Sequence, residues 1–335
     1  MLLKKMNNMI HIHRYYGMKY LSRNIYYLFW KQNDLKNSRK YSKIVNENDN
    51  NTENTSHIPV MVNEVLHYLE PSPGKIFVDM TFGAGGHSIK ILESSPNIKI
   101  FALDRDPIAH QHALKLSEKY PEQIIPLLGR FSELPQLLCK YKVNVNSIDG
   151  FLFDFGCSSM QLDVGERGFS LSKDGPLDMR MDGFRYPQEP TVAEVLKEIT
   201  EEDLVHILKI YGNEKYAKKI ARAIIETRYT FKTLKTTQEL VQLIESVISE
   251  KRLDQLGRYA HCATKTFQAL RIFVNNELNE INYDYGKHYT LTEMKAFNRI
   301  PWKMLHKHVI TPTQEEINKN PRSRSAKLRA ITKVI

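Results

Sequence analysis

The sequence predicts an α/β fold built on a doubly wound, mostly parallel sheet, and three observations carry that reading. An apolar run over residues 76–78 leads into a glycine-dense turn, Asp79-Met80-Thr81-Phe82-Gly83-Ala84-Gly85-Gly86-His87, and helix-like apolar spacing resumes over 88–92. Strand, tight turn and helix make the first crossover of such a sheet. Three further apolar runs follow with helical patterns between them, as parallel strands joined by crossovers require. Two of those runs end in an acid, Asp104 and Asp154, at the carboxyl ends of strands, where this architecture holds its ligand.

Each element has its own local reason. Residues 62–69 have helical spacing and stop before Pro71. The second strand runs over 98–103 and closes on Asp104, roughly 20 residues past the turn, where a carboxylate can take both hydroxyls of a ribose. Pro107 opens a helix through Tyr120, and Pro121 ends it. Residues 123–128 form the third strand, 134–141 a helix, and 148–155 the fourth strand, with Asp154 near its end. The spacing Gly83-x-Gly85-Gly86 differs from the dinucleotide fingerprint, so the turn by itself indicates only a nucleoside-containing ligand, with a purely structural turn as the other reading.

Composition sets the outer bounds. A chain of 335 residues with 41% hydrophobic and 26% charged residues supports a sizeable core. A net charge of +10 favours anionic partners, nucleic acid before an anionic membrane surface. Cys139, Cys157 and Cys262 lie far apart, so neither a disulfide framework nor a zinc site is indicated, and no metal is expected. No apolar run approaches the roughly 20 residues of a membrane helix.

The flanks of the sheet pattern differ from it. Residues 1–45 hold ten Lys and Arg against one acid, Asp34, with aromatics interleaved, which fits a mitochondrial targeting leader, or else a basic RNA-binding arm. Residues 46–56 are a polar, asparagine-rich linker. After Asp154 the pattern breaks into a long loop, 156–190, whose length and mixture of Gly, Asp, Arg and Met point to function. Residues 191–260 read as an all-helical insert, with a helix start at Thr200 and Asp203 and a capping box at Thr236 and Glu239. A helix over 264–278 returns the chain to the sheet. The expected segments are 1–56, leader and disordered linker; 57–160, first part of the core; 161–260, loop and helical insert; and 261–335, return helix, truncated core segment and basic C-terminal tail.

Several long motifs occur together and in order. They are His57-Ile58-Pro59-Val60, the turn 79–87, Asp104-Arg105-Asp106-Pro107, the stretch 154–163, Glu166-Arg167-Gly168-Phe169-Ser170, the stretch 174–181, the stretch 264–272 and the basic stretch 320–329. In these the chain resembles the MraW/RsmH family of S-adenosylmethionine-dependent rRNA methyltransferases, which modify the N4 amine of a cytosine in small-subunit rRNA. The basic leader makes it look like the mitochondrial branch, in the matrix. The resemblance implies a Rossmann-like class I methyltransferase fold with S-adenosylmethionine as cofactor. Gly85, Gly86 and His87 would hold the methionine end, Asp104 the ribose, and Phe131 the adenine; Asp154 and Gln161 would complete the pocket. Asp154 is also the candidate catalytic residue, orienting the target amine. Small-subunit rRNA or the ribosomal subunit is the implied partner, no membrane is, and a homodimer is left open. Arg322, Arg324, Lys327 and Arg329 would add phosphate contacts.

One departure stands out. Where the family continues with a Pro-Gly-Gly turn and an apolar strand, residues 281–299 offer no apolar strand, so the fifth central strand is expected to be missing and the last part of the sheet truncated. That leaves two readings: an active mitochondrial rRNA methyltransferase, or an inactive truncated relative that binds RNA or assists ribosome assembly. A small-molecule methyltransferase fits the charge less well.

Overall fold

The computed structural model describes residues 24–30, 58–144, 147–230, 233–248, 252–253, 259–281 and 302–333. Its centre is a seven-stranded sheet. In chain order the strands are β1 (Asn24–Trp30), β2 (Ile76–Asp79), β3 (Lys99–Asp104), β4 (Ile124–Leu128) and β5 (Gly150–Phe155). A separate antiparallel pair, β6 (Arg252–Leu253) and β7 (Tyr259–Ala260), precedes β8 (Trp302–Met304) and β9 (Ala326–Lys333). The spatial order is β4-β3-β2-β5-β1-β9-β8. Every neighbouring pair from β4 to β1 is parallel, while β9 runs antiparallel to both β1 and β8.

The apolar runs of the sequence become strands because both faces of the sheet are covered, which calls for near-continuous hydrophobic residues rather than alternation with polar ones. Phe77, Ile100, Ala102 and Leu152 point into one core, shared with Val65 and Leu69 of the helix Val62–Leu69. Val78, Phe101, Leu103, Phe151 and Phe153 point into the opposite one, with Leu134 of the helix Leu134–Lys140. The helix Pro107–Lys119 starts as its proline indicates, with the Asp106 side chain accepting the Ile108 N–H at its N-cap.

The expected gap in the sheet is not seen. β1 lies between β5 and β9, pairing from Asn24 to Phe29 with β5 and from Asn24 to Trp30 with β9. The inner edge of β5, expected to lack a partner, therefore has one, drawn from the segment read as leader. Residues 1–23 and 31–57, with the rest of that segment and its linker, and residues 282–301, which hold most of the departure, lie outside the described residues. The basic C-terminal stretch is not a tail: β9 buries Ala326, Leu328 and Ala330 and exposes Lys327 and Arg329 between them, the alternation of a strand with one face on a core.

The insert has its own core, and the long loop belongs to it. Helices Val192–Glu198, Glu201–Gly212, Ala217–Thr230 and Thr237–Val247 bury Leu196, Leu204, Ile220, Ile224 and Ile244 together with Phe169, Leu177, Met179 and Met181 of the loop. The expected caps form, with Thr200 accepting the Asp203 N–H and Thr236 the Glu239 N–H. A further capping box, Thr191 with Glu194, had equally legible residues. The return helix is shorter than expected, Thr264–Val274, and a second short helix, Glu277–Ile281, follows. It ends early because the Asn275 side chain donates to the carbonyls of Met179 and Arg271 and accepts the Met181 N–H, and Asn276 turns to φ 51°.

A proline at position 28 tests the placement of β1. A central strand loses a ladder hydrogen bond to proline and leaves its partner unsatisfied, so Leu28→Pro should cost about 1–3 kcal/mol. The measurement is a denaturant midpoint on the full chain, and an unchanged midpoint would show that β1 is not within the sheet.

Candidate active site

The carboxyl ends of β2, β3 and β5 open onto a cleft of about 1220 Å³, part of it open to solvent. It lies at the switch in strand order between β2 and β5, where a doubly wound sheet leaves a crevice. The turn after β2 forms one wall. Gly85 sits there at φ 81° as N-cap of the helix Gly86–Ser94, and an added Cβ would come within 2.6 Å of the Phe82 ring, so glycine is needed on both counts.

Three strand-end carboxylates gather at this edge, each with different partners. Asp79, at the end of β2, accepts the Ser88 hydroxyl at 2.7 Å and the Thr81 N–H at 3.1 Å. Burial raises its pKa, with those hydrogen bonds and His87 opposing. Asp104 accepts the N–H of Gly83 at 2.8 Å and of Asp106 at 2.9 Å; burial nevertheless pushes its carboxyl up to about 7. Asp154 differs. Its backbone N–H donates to the Thr81 hydroxyl at 2.6 Å, but its carboxylate faces the cleft and accepts no hydrogen bond among the described residues. Burial raises it too, with His87 pulling the other way.

Of the seven residues that the sequence assigned to a ligand, Gly86, His87, Asp104, Phe131, Asp154 and Gln161 line the cleft and Gly85 does not. The Val60 carbonyl accepts the His87 Nε2–H at 2.8 Å, which ties the helix start to the chain entering the fold. Phe131 is half-buried, edge-on to Phe153 and Phe155 at 5.7 and 6.0 Å, so it forms part of both the core and the cleft wall. Gln161 donates its amide to Asp106 at 2.8 Å and accepts the Ser158 N–H at 3.1 Å, which fixes the loop after β5. Cys157 is buried; its sulfur accepts from Arg271 at 3.6 Å.

Sequence reasoning gave no role to the cleft's ionic frame. Arg167 joins Asp106 at 2.9 Å. Arg271 holds Glu277, a cleft residue, through two hydrogen bonds. Asp182 accepts from Arg105, Arg130 and Arg185. Burial opposes charge on Asp182, but Arg105 and Arg130 outweigh it and hold its carboxyl below the usual range. The motifs Asp104-Arg105-Asp106 and Asp178-Met179-Arg180-Met181-Asp182 advertise charge in a loop, but Arg105 and Asp182 are 77 residues apart and nothing local links them.

The profile of the MraW methylase family matches residues 54–296 and 287–334. A Culex quinquefasciatus protein named putative receptor-type tyrosine-protein phosphatase mosPTP-1 is 49% identical over 84% of this chain; the match spans only 22% of that protein's length. The 12S rRNA N(4)-cytidine methyltransferase METTL15 of Mus musculus is 44% identical over 336 positions, covering 83% of this chain and 82% of its own. The ribosomal RNA small subunit methyltransferase H of a Wolbachia strain (wRi) is 40% identical, covering 83% of this chain and 99% of its own. An alignment of 336 positions over 83% of a 335-residue chain includes positions of the mouse protein with no counterpart here, in keeping with an internal segment that this chain lacks.

The Asp104 carboxyl yields a pH prediction. A raised pKa means the group holds its proton up to about 7, and ionising it in the folded state disfavours the fold as pH rises from the unfolded value of about 4. Hydroxyl groups of a ribose donate best to the ionised form. If Asp104 holds the ribose, S-adenosylmethionine binds about tenfold more weakly at pH 6 than at pH 8 by linkage. Calorimetry at both values checks this, with Asp104→Asn expected to bind weakly and without pH dependence.

Proposed function

Since the chain belongs to the MraW methylase family, we propose that it transfers a methyl group from S-adenosylmethionine to the N4 amine of a cytosine in small-subunit rRNA, in the mitochondrial matrix. The observation that carries the reading is the Asp154 carboxylate, which lines the cleft without a hydrogen-bond donor among the described residues, close in the fold to the ribose candidate Asp104. The names of the mouse and Wolbachia relatives support the substrate class, and the mouse name supports the compartment.

The residues present fit the cofactor. Asp104 is pinned by two backbone N–H groups at the end of β3 and faces the cleft, as a ribose acceptor needs. The glycine turn and the start of the helix at Gly86 form the wall that would face the methionine end, and Phe131 lines the cleft where adenine would lie. When bound, the cofactor supplies an electrophilic methyl on a sulfonium.

The chain's own work is alignment and charge. An exocyclic amine lends its lone pair to the ring, so it attacks well only when held at the right angle, and holding reactants in geometry is worth several powers of ten. The Asp154 carboxylate would accept one N4–H, turn the nitrogen lone pair towards the methyl, and take the proton that leaves the nitrogen as the N–C bond forms and the methyl's bond to sulfur breaks, its electron pair staying on sulfur. Its raised pKa suits that duty, because proton transfer works best when the acceptor's pKa lies closer to the working pH. No covalent nucleophile is required: Cys157 is buried and bonded to Arg271, and burial raises its thiol. The target base must leave its stack to reach Asp154 inside the cleft, as enzymes acting on bases in structured RNA demand.

Asp154→Asn and Asp154→Ala should lower kcat about a hundredfold or more, with S-adenosylmethionine still bound. The assay follows labelled methyl into small-subunit RNA and locates N4-methylcytidine by mass spectrometry. Full turnover in Asp154→Ala would remove the carboxylate from the mechanism. Cofactor binding with no methylation of RNA by the unaltered chain would favour the inactive, RNA-binding relative.

A further inference from the structure

We propose that Phe184 is a stacking platform for an unpaired RNA base, next to the nucleotide that enters the cleft. The proposal rests on the RNA-substrate reading above and adds a second contact to it. Phe184 is 85% exposed, the highest value among the exposed large hydrophobic residues described. It sits in the short turn Gly183–Arg185, three residues after Met181, a cleft residue, and two after Asp182, which bonds Arg105 of the cleft wall.

The turn is held on both sides, so the exposure is not that of a loose loop. Before it, the Met181 N–H donates to Asn275 at 2.7 Å, and Asp182 accepts from three arginines. After it, the Tyr186 hydroxyl donates to Glu133 at 2.9 Å, and the guanidinium groups of Arg130 and Arg185 lie 4.1 and 5.1 Å from the Tyr186 ring. Gly183 makes the bend, at φ 58°, with open space where a Cβ would stand. These anchors commit the neighbouring polar groups and leave the ring of Phe184 facing water. The guanidinium of Arg180, fixed by Asp178 and the Glu189 carbonyl, lies 6.0 Å from the ring centroid.

An exposed aromatic ring in an anchored turn, three residues along the chain from the cleft-lining Met181 and beside a guanidinium, has the composition of a single-stranded RNA contact. Unstacked bases are recognised by aromatic side chains and arginine planes. Because the arginines around it are already paired with acids, stacking rather than phosphate attraction is the interaction offered. A base flipped into the cleft leaves its neighbour without a stacking partner on that side, and Phe184 would replace it.

The test is steady-state methylation of a small-subunit RNA transcript by the full chain and by Phe184→Ala, Phe184→Leu and Phe184→Trp. Alanine and leucine should raise KM for RNA by about 5- to 100-fold, the size of one lost base–aromatic stack, while tryptophan stays near the unaltered value. The S-adenosylmethionine Kd should not move in any of them. The salt dependence of RNA binding should keep its slope, because no phosphate contact is removed. An unchanged KM in Phe184→Ala and Phe184→Leu overturns the proposal. Should the unaltered chain show no methylation, the function above fails separately, and fluorescence anisotropy with a labelled single-stranded small-subunit fragment reads the stacking directly; equal affinity of Phe184→Ala overturns it there. If sedimentation shows Phe184→Ala dissociating a dimer without loss of RNA affinity, the ring serves self-association instead.

Discussion

The structure depends on a concentration of carboxylates at one edge of a parallel sheet. Parallel strands joined by right-handed crossovers bring all their carboxyl ends to the same side; β2 and β3 end there in aspartate, and β5 carries Asp154 as its last residue but one. Removing such groups from water is costly unless donors satisfy them. Asp79 has a serine hydroxyl and a backbone N–H, and Asp104 has two backbone N–H groups supplied by turns that only this sheet positions. Asp154 has neither. The edge is therefore complete only when something in the cleft donates to Asp154, and a ligand bearing hydroxyl and amine groups answers that need.

The second constraint is the attachment of the helical insert to the sheet. Insert and long loop share one core, separate from the two that cover the sheet. Polar ties join them: Asp182 of the loop to Arg105 and Arg130 of the sheet loops, and Arg167 to Asp106. A buried ion pair contributes little over an apolar replacement, but losing one partner is costly because the other charge stays buried. Such ties set geometry more than stability. The cleft residues among these elements are held by their own partners: Arg167 donates to the Met181 carbonyl, Arg271 holds Glu277, and Ser132 donates to Glu280.

Much of this was legible in the sequence, for identifiable reasons. Strands buried on both faces announce themselves as apolar runs, so four strands were placed to within two residues of their observed starts. Pro107, Thr200 and Thr236 mark helix starts by chemistry that acts within three residues. Asp104 and Asp154 could be singled out because an acid closing an apolar run has few structural uses. The long-range part of the ionic frame was not legible, because pairing across 52 to 77 residues, as of Asp182 with Arg130 and Arg105, leaves no local trace. The early end of the return helix was hidden for the same reason: Asn275 stops it through Met179 and Met181, far away in sequence. Phe184 gave no signal, since one aromatic in a polar loop looks the same whether exposed or buried.

The placement of β1 brings two readings of the N-terminal segment into contact. Charge and aromatic content fit a leader removed on import, whereas the pairing of Asn24 to Trp30 with β5 and β9 makes part of that segment a central strand. Both hold if processing ends before Asn24, which leaves the strand in the mature chain. Cleavage after Trp30 would instead leave two facing strand edges, each with a row of backbone donors and acceptors removed from its partner, inside a sheet whose neighbours are fully paired. Unpaired buried backbone groups cost as much as lost hydrogen bonds, and a row of them approaches the whole stability of a domain. A strand supplied from the chain's beginning also has consequences for folding: β1 must enter between β5 and β9, elements more than a hundred residues later in the sequence, so the sheet cannot close until β9 has been made. The cleft edge formed by β2, β3 and β5 depends on none of those late contacts directly, because each of the three pairs with another member of the set. The cofactor side of the site can therefore assemble before the far half of the sheet, and that half decides whether it stays assembled.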